Sequence, residues 1–509
     1  MEQEEAGGGP RIERLVGIGI TWKLVGQVAV QVIRLVTVAV LARLLTPRDY
    51  GAAAVAVALA AFAGTVADMG IGSALVQAQN ASRLVRSTAF WASVGCGVGL
   101  FLLMAAAAKP VAAFMGEPQV AGMVIAGGAT YAIYSLGSAS QAVYMREMKF
   151  RNIEVRNWLA LVIGGVVAIV AAANGAGPWA LALQQIVFTA TFVAALWFRA
   201  GWRPSLEFSR QEFLRLGSFA IRIAGGRWAR LLELLVLTLL IGKLASVAEL
   251  GAWSFGMSMV ILPLSLLAIP IAEVLFSAFS RLQDQPERMA ALWLDSIGYL
   301  AAILLPVVLG LMVVSPDLIP AAFGERWRVS VGVVQILGVY VLIRGLQSWG
   351  SVYMDAVGRP EVTFWTQLAS LFLTPVAVVV GVRWGIEGIA VCYVIVQMIA
   401  VEIPMFVIVL AQMRLAARTV AARLGGIAVA SAVMVAACAF GRLALEAAGI
   451  PEAGRVLVTI AIGIAVYVPL LWWLAPHVSR PAFAMGTQRL ATLTAARRRR
   501  RTVLQPEHG

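Results

Sequence analysis

Basic side chains occur where the sequence otherwise predicts a helix that crosses a membrane. The stretch IRIAGGRWARLLELLVLTLL, residues 221–240, contains Arg222, Arg227, Arg230 and Glu233 among apolar residues. Arginine forms paired, charge-assisted hydrogen bonds with phosphate and carboxylate groups. A charge at the bilayer centre costs about 3 kcal/mol on insertion scales, so such residues should point away from lipid. The stretch therefore indicates either buried ion pairs or an anion-binding cavity.

These charges belong to polar stripes that recur on four predicted helices. Successive residues of a helix are rotated by 100° about its axis, so side chains at suitable spacings fall on one face. Each stripe occupies one such face. A stripe shared by several helices is expected at a common interface. The stripes are Lys23, Gln27, Gln31 and Arg34 in the first helix, Tyr131, Tyr134, Ser138 and Gln141 in the fourth, Arg222, Gly226, Arg230 and Glu233 in the seventh, and Arg344, Ser348, Ser351 and Asp355 in the tenth.

Two interpretations of the stripes remain open. In the first, arginine and glutamate pair between packed helices, and Arg230 could pair with Glu233 within one helix. In the second, the stripes line a water-filled cavity in which the bases outnumber the acids Glu233 and Asp355. That surplus favours an anionic ligand. The predicted anion-binding residues are Arg222, Arg227, Arg230, Lys23, Arg34 and Arg344.

Acidic residues inside predicted spans are candidates for coupling transport to protons or sodium ions. Glu233 stays ambiguous, since it would serve either as this site or as the partner of Arg230. Asp295 and Glu402 are further acids within predicted spans, and the same role stays open for them. The candidates are Glu233, Asp68, Glu273 and Asp355.

The sequence offers little material for a metal site or for nucleophilic catalysis. The three cysteines lie far apart inside predicted spans and form no Cys-x-x-Cys motif, so they are interpreted as packing residues. Both histidines, His477 and His508, lie in the C-terminal tail, which leaves none for intramembrane catalysis. Apart from a proton or sodium ion, no cofactor or metal is expected. The cysteines are Cys96, Cys392 and Cys438.

About fourteen membrane helices must position the polar stripes. The chain of 509 residues is 61% hydrophobic and only 13% charged, which is typical of an all-α integral membrane protein. Each span needs roughly 20 apolar residues. The predicted spans lie near residues 18–44, 50–76, 88–108, 120–143, 156–174, 178–198, 217–242, 250–279, 290–314, 330–357, 362–382, 386–410, 424–443 and 454–475.

The distribution of basic residues predicts the orientation of these spans. Segments on the side of the N-terminus carry 25 Lys and Arg residues, whereas the opposite loops carry 9, so both termini are expected in the cytoplasm. The N-terminal sequence contains no cleavable signal peptide. The run Arg497–Arg501 and the net charge of +14 are interpreted as contacts with anionic lipid, and no nucleic-acid partner is expected. Outer loops of at most about twenty residues argue against a membrane glycosyltransferase or polymerase.

An internal repeat divides the chain into two lobes. LARLLTPRDYG, residues 41–51, matches IGKLASVAELG, residues 241–251, at a constant offset of 200. Six helices return the chain to the same side, so the lobes are expected to be parallel repeats. The predicted organisation is an N-terminal segment at 1–14, an N-lobe at 15–198, a cytoplasmic linker at 199–216, a C-lobe at 217–410, two further helices at 411–475 and a basic tail at 476–509.

Several motifs resemble those of a transporter family. Beside LARLLTPRDYG, they are ADMGIGSALVQ, YMREMKFRNIEVRN, GPWAL and DAVGRPE, and the resemblance extends from about residue 15 to about residue 475. The chain resembles the Wzx-like lipid-linked oligosaccharide flippases of the multidrug/oligosaccharidyl-lipid/polysaccharide (MOP) exporter superfamily. It is most similar to the colanic-acid and exopolysaccharide exporters. The resemblance implies a MATE-like, two-lobe core and alternating access.

The resemblance also implies a substrate and a location. The substrate would be an undecaprenyl-diphosphate-linked oligosaccharide, moved across a bacterial inner membrane by a multi-pass protein that is not an enzyme. The basic stripes would hold the diphosphate, membrane lipids would surround the chain, and a polysaccharide polymerase and a chain-length regulator are candidate partners. A peptidoglycan lipid-precursor flippase, a MATE-type drug exporter and a membrane glycosyltransferase or polymerase are the alternatives. The sugar-contacting residues would be Gln27, Gln31, Tyr131, Tyr134 and Gln141.

Overall fold

The computed structural model describes residues 30–68, 75, 82–147, 150–198 and 202–478, and within these ranges it leaves out the side chains at 65–68, 150, 215–227, 267–270 and 273. The described residues are almost entirely helical and contain no β-strand. The all-α prediction is therefore confirmed for this part of the chain. The predicted cytoplasmic segment at 1–14 lies outside the described residues, as does the predicted tail at 476–509 apart from residues 476–478.

The helices follow one another with short connections. Each predicted span overlaps one of them. The helices are α1 at residues 30–44, α2 Pro47–Asp68, α3 Arg83–Met115, α4 Gln119–Arg146, α5 Phe150–Ala173, α6 Trp179–Trp197, α7 Arg210–Leu244, α8 Val247–Arg281, α9 Pro286–Phe323, α10 Ser330–Ala356, α11 Pro360–Gly381, α12 Gly385–Gln397 with its continuation to Met413, α13 Ala417–Ala447 and α14 Glu452–Leu474.

Ten helical segments among the described residues are long and apolar enough to cross a membrane. One of them, Pro360–Met413, has 54 residues, far more than the roughly 20 that one crossing requires. It folds back at a 3-10 turn, Val382–Trp384, after which Gly385 adopts φ +69°. This segment therefore comprises two antiparallel helices, α11 and α12. The total of fourteen spans and the cytoplasmic location of the termini remain predictions.

The helices pack as two groups with two additional helices. In the first group α3 packs on α4 and α5 on α6, whereas in the second α10 packs on α8 and α11 on α7. Contacts between the groups involve mainly α2 with α7 and α8. Helices α13 and α14 pack on each other and on α9. We refer to the groups α1–α6 and α7–α12 as the N-lobe and the C-lobe.

Matching caps begin the second helix of each lobe. Thr46 and Asp49 form reciprocal hydrogen bonds before α2, with Thr46 N donating to Asp49 Oδ2 over 2.8 Å. Ser246 and Glu249 form the equivalent pair before α8, where Glu249 N donates to Ser246 Oγ over 3.1 Å. Such capping boxes satisfy backbone donors that a helix start leaves unpaired. The duplicated sequence thus forms duplicated local structure.

The predicted linker at 199–216 contains the beginning of a helix. Helix α7 begins at Arg210 rather than near residue 217, because Ser209 caps it by accepting a hydrogen bond from Glu212 N. Before this cap, Ser205 N donates to Ser87 Oγ on α3 over 3.0 Å. The connecting segment is consequently fixed to the N-lobe.

Candidate functional site

The C-lobe contains a buried carboxylate surrounded by neutral hydrogen-bond donors. Glu233 on α7 is only 5% exposed. Its Oε1 atom accepts hydrogen bonds from Ser370 Oγ at 2.9 Å, Thr374 Oγ1 at 3.1 Å and Gln397 Nε2 at 2.5 Å. The donors belong to α11 and α12, so this one side chain connects three helices. Among the described residues, no ion pair joins Arg230 and Glu233, and the predicted pairing between them is therefore not formed.

A second buried carboxylate, that of Glu402, lies on α12 five residues after Gln397. Regular α-helical structure is interrupted by a π-helical turn, Met398–Glu402, before the helix resumes as Ile403–Met413. Glu402 is 3% exposed, and its Oε1 lies 3.7 Å from Nη1 of Arg344 on α10. The Arg344 guanidinium also lies over the Tyr340 ring, 5.8 Å from its centroid. The acid nearest to Arg344 among the described residues is thus Glu402, which the stripes did not include.

Two other predicted anion-binding residues keep their charge unpaired. Arg230 is half-buried and interacts electrostatically with Glu402 and with Tyr393, but it forms no ion pair with a described residue. Arg34 on α1 is exposed, and no described acid pairs with it either. Charges held in apolar helices without a partner require water or a ligand.

The predicted stripe of the first helix reaches the interface between the lobes. Gln31 is 8% exposed, and its Nε2 donates to Ser265 Oγ on α8 over 3.4 Å. This bond joins the N-lobe to the C-lobe. A cavity at this position and a role of Gln31 toward a sugar stay predictions.

The stripe of the fourth helix forms a connected polar face. Tyr134 Oη donates to Gln141 Oε1 over 3.0 Å, and the Tyr131 and Tyr134 rings meet edge to face at 6.4 Å. Tyr131 also packs closely against Gly64 on α2, where a Cβ atom would overlap the ring. These three polar residues are half-buried and lie together on α4.

Other predicted site residues are only partly described. Lys23 and Gln27 lie outside the described residues, and the side chains of four further candidates are not described either. Asp355 is exposed near the end of α10, away from the buried carboxylates. Its role in ion coupling stays a prediction, as does that of the others. The four candidates without a described side chain are Arg222, Arg227, Asp68 and Glu273.

The lobes meet tightly where α1 connects to α2 and α7 to α8, an end that we call the hairpin end. A Cβ atom on Gly51 would overlap the carbonyl oxygen of Val247, and one on Gly251 would overlap that of Pro47. The two contacts are reciprocal under the offset of 200 residues. Only glycine permits helices α2 and α8 to approach so closely. The repeat motif thus forms the contact between the lobes.

Cross-lobe hydrogen bonds reinforce this contact. Arg43 Nε and Nη2 donate to the carbonyl oxygens of Ala322 and Ala321 at the end of α9, over 2.8 and 2.7 Å. Trp327, completely buried, donates from Nε1 to Ala42 O over 2.7 Å. On the other side, the Lys243 ammonium lies over the Phe114 ring of α3, 5.3 Å from its centroid. The basic residue of each repeat therefore contacts the third helix of the opposite lobe.

The sequence pattern did not indicate that this hairpin forms a contact between the lobes. It also left out Ser370, Thr374 and Gln397, because isolated hydroxyl and amide side chains in apolar helices are common. The sequence did contain one signal for the contact between the lobes. Glycines occur at equivalent positions of the two repeats, 200 residues apart, which suggests that the repeats meet there.

Comparisons with known proteins identify the family. A family model described as "Polysaccharide biosynthesis protein" matches residues 40–332, which is more than half of the chain. The chain belongs to this family. The lipopolysaccharide biosynthesis protein WzxC of Escherichia coli (strain K12) is 26% identical over 77% of this chain and 80% of WzxC. The succinoglycan biosynthesis transport protein ExoT of Rhizobium meliloti (strain 1021) is 25% identical over 71% of this chain and 73% of ExoT.

Solved structures show the fold of this member of the polysaccharide biosynthesis protein family. The lipid II flippase MurJ, in an inward closed conformation, matches with a TM-score of 0.71 and 12% identity over 89% of this chain and 98% of MurJ. An inward-facing MATE family transporter of the MOP superfamily matches with a TM-score of 0.53 and 17% identity over 77% of this chain and all of the transporter. The predicted Wzx-like, MOP-superfamily resemblance is therefore confirmed.

Proposed function

We propose that this protein moves undecaprenyl-diphosphate-linked oligosaccharide repeat units across the bacterial inner membrane, for exopolysaccharide, capsule or O-antigen synthesis. It works by alternating access and catalyses no covalent reaction. Membership of the polysaccharide biosynthesis protein family supports the substrate class, as does the name of ExoT, a transport protein for succinoglycan biosynthesis. A diphosphate headgroup with attached sugars cannot cross hydrocarbon unaided, because burial of its charge is very unfavourable.

The observation that carries the proposal is the basic charge of three membrane helices, none of which has a close acidic partner among the described residues. Arg34 and Arg230 form no ion pair with a described residue, and Arg344 faces Glu402 at 3.7 Å without a hydrogen bond. A guanidinium bound to phosphate normally forms bonds of about 2.7–2.9 Å. These arginines consequently retain the capacity to bind an anionic headgroup. A cationic drug would be repelled by the same charges, which disfavours drug export.

Glu233 is proposed to couple the movement to an ion gradient. Its carboxylate accepts three hydrogen bonds from neutral groups, and no described cation pairs with it. A buried carboxylate with oxygen-bearing neighbours suits either a proton or a sodium ion. Because the donors lie on α11 and α12, binding of the ion would change how these helices pack on α7.

The experiment compares Arg230→Ala and Arg344→Ala with Arg383→Ala in cells whose native gene is deleted. Loss of anion binding should abolish surface polysaccharide and cause lipid-linked intermediates to accumulate in the inner membrane. Arg383 lies in the 3-10 turn between α11 and α12, distant in sequence from the stripes, and its replacement should leave export intact. Normal export by both variants would refute the assignment of the diphosphate site.

A further inference from the structure

Glu402 owes its position to the π-helical turn at which α12 departs from regular geometry. In an α-helix, residues five positions apart diverge by about 140° around the axis. The i to i+5 hydrogen bonding of a π-helical turn brings such residues closer to one face. Gln397 and Glu402 are five positions apart, and both are buried against polar groups of other C-lobe helices. The turn thus directs Glu402 toward the arginines.

The contact between Glu402 and Arg344 is an ion pair without a hydrogen bond. Their nearest nitrogen and oxygen atoms are 3.7 Å apart, and the two side chains are 4% and 22% exposed for Glu402 and Arg344. The same carboxylate interacts electrostatically with Arg230 on α7. One acid is therefore shared by two arginines of the proposed diphosphate site, and it holds neither of them by a short bond.

We propose that Glu402 is an internal counter-ion that neutralises Arg344 and Arg230 while the site lacks substrate and is displaced by the incoming diphosphate. This inference rests on the proposed function. A phosphate forms shorter, paired bonds with guanidinium than Glu402 does, so it competes successfully. The carboxylate also repels the bound anion, which weakens binding and speeds release. Glu402 is thus a positioning residue that sets the affinity of the site.

The test measures binding of undecaprenyl diphosphate to the purified full-length protein in detergent, with undecaprenol as the probe that lacks phosphate. Glu402→Gln keeps the side-chain shape and removes the charge. We expect about tenfold tighter binding of the diphosphate, slower dissociation and unchanged binding of undecaprenol. Export by cells carrying the variant should slow, because release becomes limiting. Unchanged or weaker diphosphate binding by a folded Glu402→Gln protein would overturn the inference.

Two controls separate this outcome from general effects. Glu446→Gln makes the same change of charge on α13, where the side chain is half exposed, and should leave the diphosphate affinity unchanged. In an Arg344→Ala background, Glu402→Gln should increase the affinity less than in the wild type, since one partner of the pair is already gone. An equal increase in both backgrounds would contradict the proposed pairing.

The same measurements distinguish failure of this inference from failure of the proposed function. If the wild type binds undecaprenyl diphosphate and Arg344→Ala weakens that binding, the function stands, and an inert Glu402→Gln refutes only the counter-ion. If the wild type binds undecaprenol and undecaprenyl diphosphate equally, both proposals are refuted. Thermal unfolding of each variant shows whether it has folded.

Discussion

The two buried acids Glu233 and Glu402 of the C-lobe have distinct electrostatic environments. Glu233 accepts hydrogen bonds from neutral donors, whereas Glu402 faces arginine. Glu233 has no cationic partner among the described residues and is available to bind a cation. The charge of Glu402 is instead neutralised by Arg344. The two acids are consequently assigned different tasks, ion coupling and neutralisation of the binding site.

Replacement of Glu233 by glutamine should abolish the response to the coupling ion. If sodium is that ion, it should raise the melting temperature of the wild type in detergent, because a ligand that binds only the folded state stabilises it. Glu233→Gln lacks the charge and should not respond. If the ion is a proton, an imposed proton gradient should accelerate transport by the wild type but not by Glu233→Gln.

Choline chloride at a concentration equal to that of sodium chloride controls for ionic strength. A second control, Thr374→Ala, removes one neutral hydrogen-bond donor of Glu233 and leaves the Glu233 carboxylate in place. Its response to sodium should be weakened rather than lost. A Glu233→Gln protein that responds like the wild type to both sodium and a proton gradient would exclude Glu233 as the coupling site.

The burial of Gln31 and the partial burial of Arg230 were predictable at the residue level, but the partners of the buried acids were not. The helical wheel placed Gln31 and Arg230 on inward stripes because the period of a helix is fixed by its backbone. It could not identify Glu402 as the partner of Arg344, since the two lie 58 positions apart in sequence and a π-helical turn changes the phase of the wheel. Contacts between helices depend on packing, which periodicity within one helix does not encode.

Helices α13 and α14 are joined to the C-lobe by a buried charge cluster. Asp317 on α9 is 2% exposed and accepts hydrogen bonds from Arg442 Nε at 2.6 Å and Arg455 Nε at 2.9 Å. Outside the membrane-spanning segments, Arg328 pairs with Glu452 at 3.2 Å. Hydrogen bonds from Arg328 also hold the pKa of the Glu325 carboxyl below its usual value. The two added helices are therefore attached by charge as well as by apolar packing.

Removal of the Asp317 carboxylate should destabilise this attachment. Asp317→Ala removes the buried carboxylate that the two half-buried arginines share, and breaking a buried ion pair typically destabilises a protein by about 3–5 kcal/mol. The melting temperature in detergent should fall by several degrees. Asp295→Ala is the matched control, because Asp295 pairs with Arg423 at a site where the acid is 52% exposed, and such pairs contribute about 0–1 kcal/mol. Equal losses from both substitutions would contradict the structural role of Asp317.

The crossing of α2 and α8 should not tolerate a side chain. Gly51→Ala places a methyl group against the Val247 carbonyl, and overpacking of this kind costs about 1–3 kcal/mol. The hairpin end should open, so the distance between spin labels at Lys109 and Val329 should increase. Gly95→Ala on α3 meets no atom within 4 Å and should leave the distance unchanged. An unchanged distance in Gly51→Ala would show that the helices do not require this contact.

On the scale of the whole molecule, the two-lobe organisation was predictable because the repeat has no gap between residues 41–51 and 241–251. The reciprocal contacts of Gly51 and Gly251 at the hairpin end follow the same offset. The sequence could not indicate which ends of the lobes meet, since the same two lobes can tilt so that either end is in contact. That choice depends on small differences in free energy between whole conformations.

If transport requires the lobes to separate at the hairpin end, a reversible link across that end should stop it. Arg43 on α1 and Ala322 on α9 are replaced by cysteines. These two residues are in contact across the lobes, with Arg43 Nε and Ala322 O 2.8 Å apart. The native cysteines are first replaced by alanine. A disulfide-forming bifunctional reagent should then block export, and a reducing agent should restore it, because only the constraint has been removed.

Each single-cysteine protein treated with the same reagent controls for modification alone and should continue to export. Because Arg43 itself binds the opposite lobe, the double variant before treatment must also export at a measurable rate. Full export with the link demonstrably in place would mean that the hairpin end stays closed throughout the cycle. Alternating access by separation of the two lobes would then be untenable for this protein, whereas anion binding by Arg230 and Arg344 would be unaffected.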